Sequence, residues 1–172
     1  IGFSMSLVAF VCCEVFLVAT GADVLTVNEA ATIVGILLLS VLLSSVINLF
    51  FVLFIQTQAA FSTLNTIVGT AIGFLCGVYV PIGALPSYVQ TLVHVFPISH
   101  TTVLLRDAFM SRSIDEVFGG NAEQAEHYMR QFGVVYEVNG TLVSSFASVA
   151  FIIGTIVVVG VVASVLFVRR NK

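Results

Sequence analysis

Gly69-Thr-Ala-Ile-Gly73-Phe-Leu-Cys-Gly77-Val-Tyr-Val-Pro81-Ile-Gly-Ala-Leu-Pro86 is the stretch that decides how this chain folds. An apolar helical run with glycine at every fourth position leads straight into two closely spaced prolines. In water such a helix would be poor, since glycine costs about 1 kcal/mol per interior position and proline about 3. In a bilayer the same residues make sense. Glycines at i, i+4 and i+8 share one smooth face along which another helix can approach. Proline is tolerated there where neighbouring protein re-satisfies the freed backbone groups.

The rest of the composition points the same way. Of 172 residues, 59% are hydrophobic and 9% charged, and the mean hydropathy is +1.13. A soluble domain carries about a quarter charged residues. The charges are segregated as well. Residues 30–105 and 138–168 hold no Asp, Glu, Lys or Arg, while nine of the fifteen charges fall between Arg106 and Glu137. Uncharged blocks of that length are covered by lipid or by other membrane helices. The chain therefore reads as an all-α polytopic membrane protein. A net charge of −3 with no basic stripe speaks against nucleic acid as a partner. No basic n-region precedes the first apolar run, so a cleaved signal peptide is not expected, and the chain reads as opening partway through a longer protein. Cys12, Cys13 and Cys76 lie in apolar stretches without CxxC spacing, and read as buried small hydrophobes.

A spanning helix needs roughly 20 apolar residues. Four stretches qualify, at about 3–20, 30–54, 59–80 and 144–168. Residues 21–29 make a short acidic link, and Ile55-Gln-Thr-Gln58 makes a tight polar turn. Between the third and fourth spans lies a long connection in two parts. Residues 81–110 remain apolar but are broken by Pro81, Pro86 and Pro97. Proline is favoured at the first helical position, so Pro86 predicts a helix to Phe96, and Pro97 a second one to about Met110. The first would align Leu85, Val89, Leu92 and Phe96 on one face. Such pieces rise only about 16–21 Å, too short for a core of roughly 30 Å. A re-entrant half-helix pair, dipping in and returning to the same side, is the expected solution. Residues 111–143 form a small extracellular lobe, with a polar helix over 121–132 and a turn at Asn139-Gly140.

The tail Arg169-Arg170-Asn-Lys172 places three positive charges just after the last span, which predicts a cytoplasmic C-terminus. Counting back, residues 81–143 and 21–29 are external and the 55–58 turn is cytoplasmic.

Few residues could carry chemistry. Glu14 is the only acid within a span; charged at the bilayer centre it would cost about 3 kcal/mol, so it is a functional candidate beside a packing role. His94 and His100 flank Pro97, but no HExxH, paired acids or GxSxG accompany them, and ordinary hydrogen-bonding histidines are expected. No metal site is expected. Arg106-Asp107 suits an interfacial ion pair. Asn65, Gly69, Gly73, Gly77 and Pro81 are each four apart and so share one face of the third span, as Ser40, Ser44 and Asn48 do on the second. Helix packing is one reading of such a face; a permeation path or subunit seam is the other. With no GxxxxGK[ST] motif, any energy for transport comes from a partner or an ion gradient.

Gly77-Val-Tyr-Val-Pro81-Ile-Gly-Ala-Leu-Pro86, then Phe96-Pro97-Ile-Ser-His100 and Leu105-Arg106, resembles the ABC type-2 transporter permease family. The family pattern is a span ending in G-x-x-x-P, a Leu-Pro pair, an Asn/Phe-Pro about ten residues on, an aromatic or His, and Leu-Arg. The resemblance is specific between Gly69 and Arg106. It implies spans three to six of a six-span, dimeric permease, itself no enzyme, that docks an ATP-binding cassette ATPase. ATP and Mg would then bind the ATPase subunit and no cofactor this chain. It implies export of drugs, lipids, peptides or glycans across a plasma membrane, here a bacterial one. The family's fifth span lines the cavity near the dimer axis, which maps onto Asn65, Gly69, Gly73 and Gly77. An external gate maps near Val80, Pro81, Leu85 and Pro86, with Pro97, His100 and Arg106 as the re-entrant motif. An ion-coupled secondary transporter, a membrane enzyme and a non-transporting anchor or assembly protein are the alternatives. The first would want paired acids in broken helices and internal repeats.

Overall fold

The structure, a computed structural model, describes residues 1–21, 25–119, 121–134, 137–138, 141–142 and 144–170. Among them the helices are α1 (Gly2–Ala19), α2 (Val27–Phe54), α3 (Gln58–Leu75), α4 (Ser87–Val95), α5 (Pro97–Phe118), α6 (Ala122–Phe132) and α7 (Ser145–Arg170). A 3-10 turn covers Ile82–Ala84. Two-residue strands, β1 (Glu137–Val138) and β2 (Thr141–Leu142), pair antiparallel. They bracket the expected Asn139-Gly140 turn, whose own residues lie outside the described ones.

Local chemistry explains where the helices begin. Thr26 and Glu29 form a capping box at α2: the Thr26 hydroxyl accepts from the Glu29 amide, and the Glu29 carboxylate accepts from the Thr26 amide at 2.7 Å. Thr57 caps α3 and Asn121 caps α6 through their side chains. Pro86 precedes the first residue of α4, and Pro97 opens α5, as the proline positions predict. Within the apolar helices the hydroxyls bond back to their own backbone, as Ser40 does to Ile36, Ser45 to Val41 and Thr70 to Thr66. Each of those hydroxyls is thereby satisfied within its own helix, which is the condition for lying in lipid.

Three helices enclose the main core. Ile36 and Leu43 of α2, Leu104 of α5 and Ile152 of α7 pack together, with Leu39, Ile98, Leu105 and Ile156 around them. Helices α2 and α7 run parallel: Gly160 faces Val46, and further along the Arg170 guanidinium donates to the Leu53 carbonyl at 2.7 Å. Helix α5 runs against α7, because His100 meets Ser148 while Asp107, further along α5, meets Ser145. Helix α1 lies outside this core. It packs along α2 and touches α5 through Phe10 and Phe109, and no residue of it is buried. A second, smaller cluster of Ile82, Val93 and Val103 sits beneath the end of α3.

Four expectations need correction. The third span was expected over 59–80, but α3 stops at Leu75, since Gly77 leaves the helix with φ +68°. Gln58, Asn65 and four threonine or serine residues also dilute it. Only α1, α2 and α7 among the described helices are both long and apolar enough to cross a membrane by length and composition. The second half-helix was expected to end near Met110; α5 has 22 residues and continues through Phe118. Cys12 and Cys13 are exposed on α1, because that helix has a neighbour on one side only; Cys76 alone is buried. The face expected on α4 is also rotated: Val93 is the buried residue, and Leu92 points outward.

Candidate functional site

The break after α3 is built from two helix ends of the same design. At the first, the Gly77 amide donates to the Phe74 carbonyl at 3.1 Å and the Val78 amide to Gly73 at 3.0 Å. At the end of α6 the Gly133 amide donates to Arg130 at 3.3 Å, and Val134 to Met129 at 2.8 Å. Both are Schellman caps, and both require a left-handed residue, supplied by Gly77 at φ +68° and Gly133 at φ +67°. Capping leaves the last carbonyls of each helix still pointing outward without amide partners.

Arg106 of α5 takes up those carbonyls at both ends. Its Nη2 donates to Cys76 and Gly77 and its Nη1 to Phe132, each at 2.9 Å. A guanidinium is well matched to such a pair of helix ends. Its planar fork reaches two sites at once, and a cation is stabilised at helix C-termini. Ile82 fills the space between the two glycines. A Cβ on Gly77 would lie 2.7 Å from Ile82 Cγ1, and one on Gly133 would lie 2.5 Å from Ile82 Cδ1. Arg106 and Ile82 thus hold the end of α3, the 3-10 turn and the lobe helix α6 as one unit. The expected Arg106–Asp107 ion pair does not form. Asp107 instead accepts from Ser145 at 3.0 Å, which ties α5 to the start of α7.

A second junction lies near the start of α5, six residues before Arg106. The His100 ring is buried, with Nε2 2.9 Å from the His94 carbonyl and Nδ1 3.1 Å from Ser148 Oγ. A carbonyl only accepts, so Nε2 carries a proton, while Nδ1 pairs with the Ser148 hydroxyl. His100 also packs on Phe151, ring centroids 4.6 Å apart. This side chain therefore locks the α4–α5 elbow onto α7. His94, on α4, contributes its backbone carbonyl to this junction. No group of three metal-binding side chains occurs among the described residues.

The structure divides the glycine face of α3 into separate places. Asn65 and Gly69 are exposed, and nothing lies within 4 Å of a Cβ built on Gly69. Gly73 is buried because the Tyr79 ring folds back onto it, edge-on to Phe74 at 5.1 Å. Gly77 and Pro81 have left the face altogether, since the helix ends before them. Val80 and Pro81 are half-buried, Leu85 packs on the Ile82 cluster, and Pro86 is exposed ahead of α4. Glu14 has one carboxylate oxygen buried with no hydrogen-bond partner. Sequence reasoning did not find Ile82, Tyr79, Ser148 or Gly133. Only Gly133 had a signal available, a glycine just past a polar helix.

The model of the ABC-2 type transporter family matches residues 1–110, which takes in the helix break, the α4–α5 elbow and Arg106. The chain belongs to the ABC-2 type transporter family. No curated protein and no solved structure matches it. As an ABC-2 chain it is a multi-pass transmembrane permease component of an ABC transporter, not itself the catalytic subunit. Membership also implies an ATP-binding cassette ATPase as partner. The match stops before Phe132 and Gly133, so the lobe end of the Arg106 clamp lies beyond the family-matched segment.

Proposed function

We propose that this chain is part of an ATP-driven exporter that moves a lipophilic or amphipathic substrate outward by alternating access, within a dimer of permease subunits. The observation that carries the reading is the open Asn65–Gly69 face of α3. It is a small-residue face uncovered by any described helix of the chain, and it ends at a clamped break. Such a face suits close approach by a second permease subunit, by cargo, or by each in turn. Val80, Pro81, Leu85 and Pro86 form the external gate in this reading, seated on the Ile82 cluster. The α4–α5 elbow is the re-entrant pair, entering beside Ser148 and returning past Ser145. Positive charge at Arg169 and Arg170 puts the C-terminal ends of α7 and α2 on the cytoplasmic side, in a bacterial plasma membrane. ATP and Mg bind the ATPase subunit. An ion-coupled mechanism would want paired acids in broken helices, and Glu14 is the single acid within the first, second and last spans among the described residues, apart from Glu29 at the mouth of α2.

Gly69→Leu tests this directly. Its side chain enters open space within the chain, so folding and membrane insertion are retained while export is abolished. Unchanged export by a correctly inserted Gly69→Leu protein would overturn the proposal. Purification of the full-length protein should also bring down an ATP-binding cassette subunit; reproducible absence of one would favour a non-transporting anchor.

A further inference from the structure

Tyr79 stands between the open face of α3 and the segment from Val80 to Pro86, and its ring is held far less firmly than its backbone. The Val78 and Tyr79 amides both donate to the Gly73 carbonyl, at 3.0 and 3.2 Å. Just before them, Arg106 holds the carbonyls of Cys76 and Gly77. The ring has no such bonds. It lies back over Gly73 and edge-on to Phe74, centroids 5.1 Å apart, yet Tyr79 remains 63% exposed and Phe74 50%. Among the described residues nothing pairs with the Tyr79 hydroxyl. Only glycine fits under this ring. A Cβ on Gly73 would fall 2.9 Å from both Cδ2 and Cζ of Tyr79, and nearer still to Cε2.

What the ring covers is half of a packing motif. Two small residues four apart let a second helix approach closely in a membrane, and on this side of α3 that pair is Gly69 and Gly73. Gly69 is open, with nothing within 4 Å of a Cβ built on it, whereas Gly73 is masked by the ring. We infer that Tyr79 is a latch on this pair. Seated on Gly73, it keeps the second permease subunit from packing closely on α3; when the two subunits close, the ring swings off and the pair is complete. The inference rests on the dimeric exporter reading above. Release needs only the side-chain torsions of Tyr79, so the Schellman cap and the Arg106 clamp stay bonded throughout. Val80 follows directly, so subunit closure at Gly73 is registered beside the first residue of the proposed gate.

The test is fluorine NMR of the full-length transporter complex in lipid nanodiscs, with fluorotyrosine placed at position 79 alone. Without nucleotide the signal should report the seated ring. Gly73→Ala should move it to that of a solvent-exposed tyrosine, and folding is retained because the added methyl meets only the far end of a flexible side chain. Phe74→Leu keeps the seat but removes the edge-on ring, and should raise the released population roughly twofold to tenfold. Trapping the complex with ATP, Mg and vanadate should move the wild-type signal to the released position. A signal unmoved by both substitutions would overturn the inference, as would an unmoved wild-type signal in a complex that has trapped nucleotide. Failure to trap nucleotide would refute the exporter reading, and the latch with it. Subunit dissociation on dilution gives a readout independent of ATP. Tyr79→Ala, which unmasks the pair, should slow it, while Tyr79→Phe should match wild type. Equal dissociation of Tyr79→Ala and wild type would also overturn the latch.

Discussion

The clamp at Arg106 makes a quantitative demand that can be tested at one thiol. In Arg106→Met the chain loses three hydrogen bonds at 2.9 Å, two of them partly buried and one exposed. Bonds to a charged donor are worth about 1.5–3 kcal/mol each. Counting only the two partly buried ones, at the low end of that range, gives about 3 kcal/mol for holding the end of α3 in place. Cys76 sits at that end, 2% exposed, and its own carbonyl is one of the clamped groups. Its alkylation therefore reports local opening of the break. Cys12→Ser and Cys13→Ser remove the exposed thiols and leave Cys76 as the sole reporter. At about 1.4 kcal/mol per decade, maleimide labelling of Cys76 should accelerate roughly 100-fold in Arg106→Met. Arg106→Lys keeps the charge but cannot fork between two helix ends, so roughly a tenfold acceleration is expected. An Arg106→Met protein that labels within about threefold of its parent would show that the guanidinium does not hold the break, and the reasoning fails.

Other variants probe the remaining contacts. Gly133→Ala and Gly77→Ala each place a Cβ at positive φ, at about 1–2 kcal/mol of backbone strain, and each also meets Ile82. Since Gly133 faces Ile82 Cδ1 and Gly77 faces Cγ1, Ile82→Val should recover melting temperature in the Gly133→Ala background only; equal recovery in both would contradict the packing. Ser148→Ala removes the buried hydroxyl bond to His100 and should destabilise by about 1 kcal/mol in a thermal melt, but by much less in a His100→Phe background, where that bond is already gone. Fully additive losses would show that the two side chains are not coupled. Glu14→Leu removes a buried carboxylate oxygen that lacks a partner, a defect of about 1–3 kcal/mol, and should raise the melting temperature. A lower one would reveal a contact made to another subunit.

How far sequence reached follows from the range of the interactions involved. Composition and charge segregation are long-window signals, and they located α1, α2 and α7 to within three residues at every boundary. Proline acts over three or four residues, and Pro86 and Pro97 placed the starts of α4 and α5. The end of α3 went wrong for a physical reason. A strict four-residue glycine repeat looks helical throughout, but a glycine serves equally as a packing surface and as a left-handed stop, and only the bonds around it decide which. Arg106 shows the opposite limit. A lone arginine after an apolar run reads as an interfacial ion pair, whereas its partners are backbone carbonyls 26 to 30 residues away, invisible to any residue-type pattern.

The repeat Gly69, Gly73, Gly77 therefore contains three different uses of one residue. Gly69 leaves a surface open, Gly73 admits the ring of Tyr79, and Gly77 turns the chain out of the helix. Their order along α3 has a mechanical consequence. A partner or cargo pressing on Gly69 acts on a helix whose far end is not free: Tyr79 is folded against it, and Arg106 fastens its last carbonyls to α6. Displacement of α3 must then either carry the 3-10 turn and α6 with it or break the clamp. In the exporter reading, the proposed gate at Val80–Pro86 is part of that same fastened segment, so motion at the open face reaches the gate without any flexible link between them. Arg106→Met separates the two, and should leave substrate binding intact while uncoupling it from release.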